Sequence, residues 1–249
     1  MQSISKYWLS LILLAASAVA GAQCAPMTPA PEKAVADVAA TAPKPSGLES
    51  VLSTMDDASE KFRSAQADLN SQQYQKVVDE TDVQKGKVYF RRKNKELEMK
   101  LDIAQPESKY VLVKEGKAQL YQPGIDQVTE YSIASKEEAE GMFALGFGGR
   151  GHDLLKSFSV KYAGDEAVDG TKTAKLELTP KSARVHNMFT LITLWIDASR
   201  GVSLKQQFDE PSGDYRRAFY TNIKLNPRLS DDLFKLNTTT KTKVVHPQG

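Results

Sequence analysis

The sharpest pattern in the chain runs from Glu96 to Ile103, where Leu97, Met99, Leu101 and Ile103 alternate with Glu96, Glu98, Lys100 and Asp102. A period of two places the apolar side chains on one face of a strand and the charged ones on the other. The stretch therefore predicts a strand with one face in water and one in apolar surroundings. Upstream the period is different. Leu48, Val51, Leu52, Met55 and Phe62 recur at helical spacing, which predicts an amphipathic helix with a single apolar stripe.

Period-two segments dominate the remainder. Val88-Tyr89-Phe90 belongs to the strand before Glu96, and Tyr110 to Val113 pairs with Ala118 to Tyr121 around Glu115-Gly116-Lys117. A Pro123-Gly124 turn leads into Val128 to Ile133. The rhythm then breaks. Ser135 with Glu138 forms a capping-box signature before Met142, Phe143 and Leu145, so a short helix is expected there. Gly146-Phe147-Gly148-Gly149-Arg150-Gly151 ends it and reads as a mobile hinge, with a second short helix over His152 to Phe158. Strands resume at Phe158/Val160/Tyr162, Ala174/Leu176/Leu178, Phe189 to Ile196, Val202 to Phe208 and Tyr215 to Leu225, separated by Asp169-Gly170 and Ser212-Gly213-Asp214 turns. Further strands are expected near Phe234 and Leu236 and at Lys243 to Val245.

Many short antiparallel strands with few helices give a mainly β (α+β) class, a sheet curled into a barrel or half-barrel. Met188 to Ile196 is apolar on both faces: Phe189, Leu191 and Trp195 on one, Met188, Ile192, Leu194 and Ile196 on the other. Such a strand needs cover on both sides, and the helices are the elements available to supply it.

Composition narrows the function. The 249 residues are 41% hydrophobic and 26% charged with a net charge of +2, which gives no electrostatic footprint for nucleic acid. The basic group Arg91, Arg92, Lys93 and Lys95 reads as a solvated strand end. Lys6 precedes an apolar run from Tyr7 to Ala20 that is too short for a membrane span. Ala20-Gly21-Ala22 offers a cleavage site, with Ala18-Val19-Ala20 as a second option, so residues 1–22 read as an export signal. Residues 23–47, rich in Ala and Pro, read as a flexible linker, and the folded domain is expected over 48–245. The single cysteine, Cys24, excludes an internal disulfide. Gly21-Ala22-Gln23-Cys24 departs from the bacterial lipobox at both Gly21 and Gln23, which argues against acylation of Cys24. His152, His186 and His246 lack metal-ligand spacing, so neither metal nor cofactor is expected.

Catalytic signatures are missing as well. The chain has no G-x-S-x-G elbow, no cysteine nucleophile with a histidine partner and no H-E-x-x-H, so no enzyme is expected. The glycine stretch lacks the Lys-Ser/Thr ending of a phosphate loop and follows a helix instead of a strand. What remains is apolar strand surface: Val88, Phe90, Leu97, Met99, Leu101, Ile103, Leu112, Leu120, Leu194, Phe208 and Phe219, with Leu176, Leu178 and Ile223 alongside. Any one of these could be ordinary core. Taken together, a wide half-closed sheet under short helices leaves space that its side chains need not fill. Each acyl methylene sheltered there gains about 0.8 kcal/mol, so hydrocarbon binds without a polar contact.

An ordered set of diffuse motifs resembles the LolA outer-membrane lipoprotein carrier family. These are Gly86-Lys87-Val88-Tyr89-Phe90-Arg91-Arg92, Pro106 to Val113, Glu115-Gly116-Lys117 to Tyr121-Gln122-Pro123, Leu194-Trp195-Ile196-Asp197, Val202 to Gln207, Asn222-Ile223-Lys224-Leu225 and Leu233-Phe234. The resemblance implies an incomplete antiparallel β-barrel closed by an N-terminal helix and short mid-chain lid helices. It also implies a periplasmic carrier of acylated lipoproteins, loaded by an inner-membrane ABC lipoprotein-releasing complex and relieved by an outer-membrane lipoprotein receptor. The family's latch arginine maps onto Arg92, with Arg91 beside it, and a lid on Met142, Phe143, Leu145 and Phe147. Lys93 stands where the family commonly has proline, and Thr239-Thr240-Lys241 replaces its C-terminal Pro-x-Gly. A lipid-binding envelope-stress sensor on the same scaffold, or an anchored receptor if Cys24 is acylated, are the alternative readings.

Overall fold

A computed structural model describes residues 47–94, 96–132 and 145–247. The expected export signal, nearly all of the expected linker, Cys24, Lys95 and most of the short helix expected from Ser135 to Leu145, with Met142 and Phe143, lie outside the described residues.

Helix α1 (Gly47–Lys61) is followed by β1 (Ser64–Gln75), β2 (Glu80–Lys93), β3 (Glu96–Gln105), β4 (Lys109–Lys114), β5 (Lys117–Gln122) and β6 (Gln127–Ser132). Helix α2 (Gly151–Ser157), β7 (Phe158–Val168), β8 (Thr171–Pro180), α3 (Ala183–His186), β9 (Leu191–Asp197), β10 (Ser203–Asp209), β11 (Tyr215–Leu225) and β12 (Lys243–Val245) complete the α-helices and strands of the described residues. All twelve strands join one sheet in the order β12-β6-β5-β4-β3-β2-β1-β11-β10-β9-β8-β7. Every pairing is antiparallel except the short β12–β6 edge. The edges β7 and β12 do not pair with each other, so the barrel stays open, as expected for an incomplete one.

The apolar stripe of α1 decides how the concave side is filled. Val51, Leu52 and Met55 sink against Leu176 and Leu178 of β8 and Ile192, Leu194 and Ile196 of β9, with Leu154 of α2 and Phe158 joining them. Leu52 and Met55 are each 1% exposed, and burial of a side chain of that size contributes about 1.5–3 kcal/mol. The helix covers one half of the sheet. The other half, β1 to β6, has no helix among the described residues on its concave face.

Several features depart from the sequence pattern, and the stretch around Phe234 and Leu236, expected as a strand, holds the 3-10 turn Asp231–Phe234 instead. Strand β1 was not foreseen, because its concave positions carry small or polar residues: Ala65, Ala67, Leu69, Ser71 and Gln73. Phe189 is not in a strand; its amide closes the α3 turn onto Val185 O at 2.8 Å, and its buried ring meets Phe208 edge-on at 5.3 Å. The charged face of β3 is not in water either. Glu98 is 5% and Lys100 7% exposed, because the C-terminal segment with its 3-10 turn Asp231–Phe234 crosses that side. There Arg91 Nε donates to Glu98 at 2.9 Å, and its guanidinium lies 4.1 Å from the Phe234 ring centroid. On β9 the second face is likewise covered without a helix: Lys205 Nζ sits 3.8 Å from the Trp195 ring centroid, beside Leu204 and Val168.

Candidate functional site

The uncovered half of the concave face forms a cavity of about 430 Å³, within the range of sites that enclose a drug-sized ligand. Strand register organises its wall into rows. Phe90, Met99, Val113, Ala118 and Tyr131 follow one another across β2 to β6. The next row is Val88, Leu101, Val111, Leu120 and Thr129. One row further the chemistry changes: Gln122 pairs with Gln127 and Lys109 follows Ile103. On the β11 side Tyr220 opposes Leu69, then Ala218–Ser71–Gln84 and finally Arg216–Gln73–Asp82. The cavity is thus apolar at one end of the strands and polar at the other, more exposed end.

Of the residues expected in the cavity, Val88, Phe90, Met99, Leu101, Leu120 and Phe208 line it. Five lie elsewhere. Leu194 is fully buried under α1, because helix cover falls on that half of the sheet. Leu97 pairs with Arg92 and packs on the Phe62–Phe90 cluster behind the cavity's apolar end. Ile103 is 2% exposed where β2 and β3 press together at Gly86, at which a Cβ would collide with Asp102 O. Leu112 alternates with Val111 and Val113 and so lies on the opposite face, across from Lys100. Phe219 likewise alternates with Ala218 and Tyr220, across from Lys205 on the outside. Residues that the pattern did not single out, among them Leu69, Val111, Val113, Tyr131 and Tyr220, complete the apolar wall.

The apolar end is closed by the segment that begins at Leu145. Leu145 is 2% and Phe147 1% exposed. The Phe147 ring stacks on Phe90 at 4.7 Å and meets Tyr220 edge-on at 4.9 Å, so it backs two residues of the cavity wall. Hydrogen bonds to its backbone fasten it: Ser203 N donates to Gly146 O at 2.9 Å, and Gln206 Nε2 donates to Leu145 O. Tyr220, whose hydroxyl donates to Gln206 Oε1 at 3.0 Å, has its ionisation pushed upward by burial. The glycines here permit close approach. A Cβ at Gly146 would collide with Ser203 Cβ, one at Gly148 would sit 2.6 Å from the Phe62 ring, and both residues have positive φ.

Arg92 joins this segment to the helix. Its Nη1 donates to Ser59 O at 2.9 Å and its Nη2 to Gly148 O at 2.5 Å. Ser59 Oγ also donates to Gly148 O, at 2.7 Å. One guanidinium thus spans the C-terminal turn of α1 and the glycine segment, using donors set in a rigid fork. Arg91 faces the other way: its Nη1 donates to Asp231 at 2.5 Å, and it fastens the C-terminal segment. Helices α1 and α2 are linked through His152, whose Nδ1 lies 2.6 Å from Asp56 Oδ2 and Nε2 3.1 Å from Glu49 Oε1. The bond to Asp56 raises the His152 pKa, although partial burial works against it. Burial alone would raise Asp56, but its bonds from His152 hold it below the usual carboxylate range.

Among the described residues, no helix is long and apolar enough to cross a membrane. No curated protein matches the chain in sequence. Among solved structures, an uncharacterized conserved protein from Thermus thermophilus superimposes with a TM-score of 0.52 at 12% identity, over 79% of this chain and 97% of that one. MucB in the Pseudomonas aeruginosa MucA/MucB complex gives 0.47 at 13% identity, over 77% of this chain and 62% of that one. The lipoprotein LppX of Mycobacterium tuberculosis gives 0.44 at 14% identity, over 73% and 98%. Residues 60–237 match the family model described as outer membrane lipoprotein carrier protein LolA, and with most of the domain inside that match, the chain belongs to the LolA family.

Proposed function

We propose that this protein is a periplasmic carrier that shelters the acyl chains of lipoproteins in the cavity and delivers them to the outer membrane. The observation that carries the reading is a concave wall of Val88, Phe90, Met99, Leu101, Val111 and Val113 left without protein cover among the described residues, in a chain of the lipoprotein-carrier family. Hydrophobic transfer supplies the affinity, at about 0.8 kcal/mol per buried methylene, and asks for no catalytic group. In this reading residues 1–22 direct export, residues 23–47 tether the domain, and an ABC transporter and an outer-membrane receptor are the donor and acceptor of cargo. Arg92 holds the segment around Gly148 against α1 in the empty form and releases it when cargo enters.

Native mass spectrometry of the protein isolated from the periplasm, followed by lipid extraction, tests the proposal. Triacylated lipoprotein bound one to one is the expected result. A protein that carries no lipid, and that binds no fluorescent fatty-acid probe at micromolar concentration, would overturn it. A stoichiometric membrane regulator in place of lipid would point instead to a sensor.

A further inference from the structure

We infer that the open end of the protein docks on a zwitterionic phospholipid bilayer, with two apolar turns dipping into the headgroup layer on either side of the mouth. Val77 is 93% and Val78 56% exposed in the turn between β1 and β2, and Ile125 is 64% exposed in the 3-10 turn Pro123–Ile125 between β5 and β6. None of the three lines the cavity. All three belong to the same end of the sheet. The β1–β2 turn lies past the Gln73–Asp82 rung and the β5–β6 turn past Gln122–Gln127, the polar rungs that edge the mouth. The inference goes beyond the carrier reading, because it concerns the rim and not what the cavity holds.

Spacing and charge choose the occupant. Three interstrand steps separate β2 from β5, roughly 14 Å along the sheet at about 4.8 Å a step, and the polar turn Pro106-Glu107-Ser108 lies between them. Two small apolar points so far apart offer no continuous patch to a protein partner, whereas a flat bilayer meets both at once. The β1–β2 turn is held in place for this. Lys76 N donates to Asp214 Oδ1 at 2.9 Å, and the Tyr74 hydroxyl donates to Asp79 Oδ1 at 2.9 Å. At the base of the turn Tyr74 stacks on Tyr215 with centroids 5.0 Å apart, a pair suited to headgroup level, where ring and hydroxyl are both satisfied. Asp79, Glu80, Asp82 and Asp214 outnumber Lys76 around the tip. Anionic lipid is therefore repelled, and the outlying ammonium of a phosphatidylethanolamine is attracted.

The test floats the whole secreted protein with vesicles of phosphatidylethanolamine and phosphatidylcholine, and with vesicles enriched in phosphatidylglycerol, at low salt. Weak, reversible partition into the zwitterionic vesicles is expected, and weaker partition into the anionic ones. Val77→Ser with Val78→Ser should lower it about thirtyfold and Ile125→Ser about tenfold, since a side chain of this size gains about a tenfold partition when it leaves water. These positions are exposed, so melting temperature and fatty-acid probe affinity should match the parent. Val77→Trp reads insertion directly, by blue-shifted emission and quenching by brominated lipid, against a constant signal from the buried Trp195. Three results would overturn the inference: no flotation of the parent at millimolar lipid, equal partition of parent and serine variants, or tighter binding to anionic vesicles that salt abolishes. Pairing of two copies through Val77 in place of vesicle binding would do the same. Acyl-probe binding is measured separately, so each of these failures leaves the carrier reading standing.

Discussion

Replacing Phe147 by alanine removes the ring between Phe90 and Tyr220 and so tests the packing of the whole closing segment. Phe147 is 1% exposed with aromatic partners at 4.7 and 4.9 Å. Truncating a buried phenylalanine costs about 3–5 kcal/mol, a total that includes aromatic pairs at roughly 0.5–1.5 kcal/mol each. The lower end applies here, because Phe90 and Tyr220 border open space and can relax into the vacancy. With a urea slope of about 2 kcal/mol per molar, a loss of ~3 kcal/mol moves the unfolding midpoint down by ~1.5 M. The vacancy adjoins the cavity, so the variant should also prefer longer acyl probes than the parent. Equilibrium urea unfolding followed by far-ultraviolet dichroism, with probe titrations across chain lengths, checks both effects. A midpoint shift below about 0.5 M at unchanged slope would refute the packing argument, since no buried ring of this size is so dispensable.

Other consequences follow from the same contacts. Arg92→Leu leaves Ser59 O without its guanidinium donor, so amide exchange around Gly148 should quicken and stability fall by about 2 kcal/mol; protection unchanged from the parent would count against the latch. Arg91→Ala strands the Glu98 carboxylate, 5% exposed, and should cost about 3 kcal/mol in thermal unfolding, whereas Arg91→Met with Glu98→Met should recover most of it. The bond between His152 and Asp56 sets a pH window. Because the folded His152 pKa lies above its ordinary value, its contribution is complete below pH 6.5 and fades as pH rises through the raised value. The lowered Asp56 pKa adds stability that is lost only as pH falls through it. Melting temperature should therefore decline as pH rises above 6.5 in the parent and be flatter in His152→Gln; equal slopes would dismiss the clasp.

Periodicity alone determined the element types where burial falls on one side. Leu48 to Phe62 reads as a helix, and Glu96 to Ile103 as a strand, because 3.6 and 2.0 are the only spacings that keep an apolar face continuous. The order of diffuse motifs was enough to name the family, and with it an open barrel. Alternation cannot say what covers a face, however. Glu98 and Lys100 look solvated from their neighbours, yet a segment more than a hundred residues later lies over them. Leu194 and Leu101 carry the same side chain at the same kind of position. One is under α1 and the other faces the cavity, since only the packing of the helix on β8 and β9 divides core from vacancy. Strand β1 escaped notice for a related reason: Ala65, Ala67, Ser71 and Gln73 give little hydrophobic signal, because a central strand that borders a cavity has little apolar volume to fill. The polar end of the site was hidden with it. A chain spells out which faces are oily, but the distance between those faces in space is set by long-range pairings, and that distance decides whether they form a core or a container.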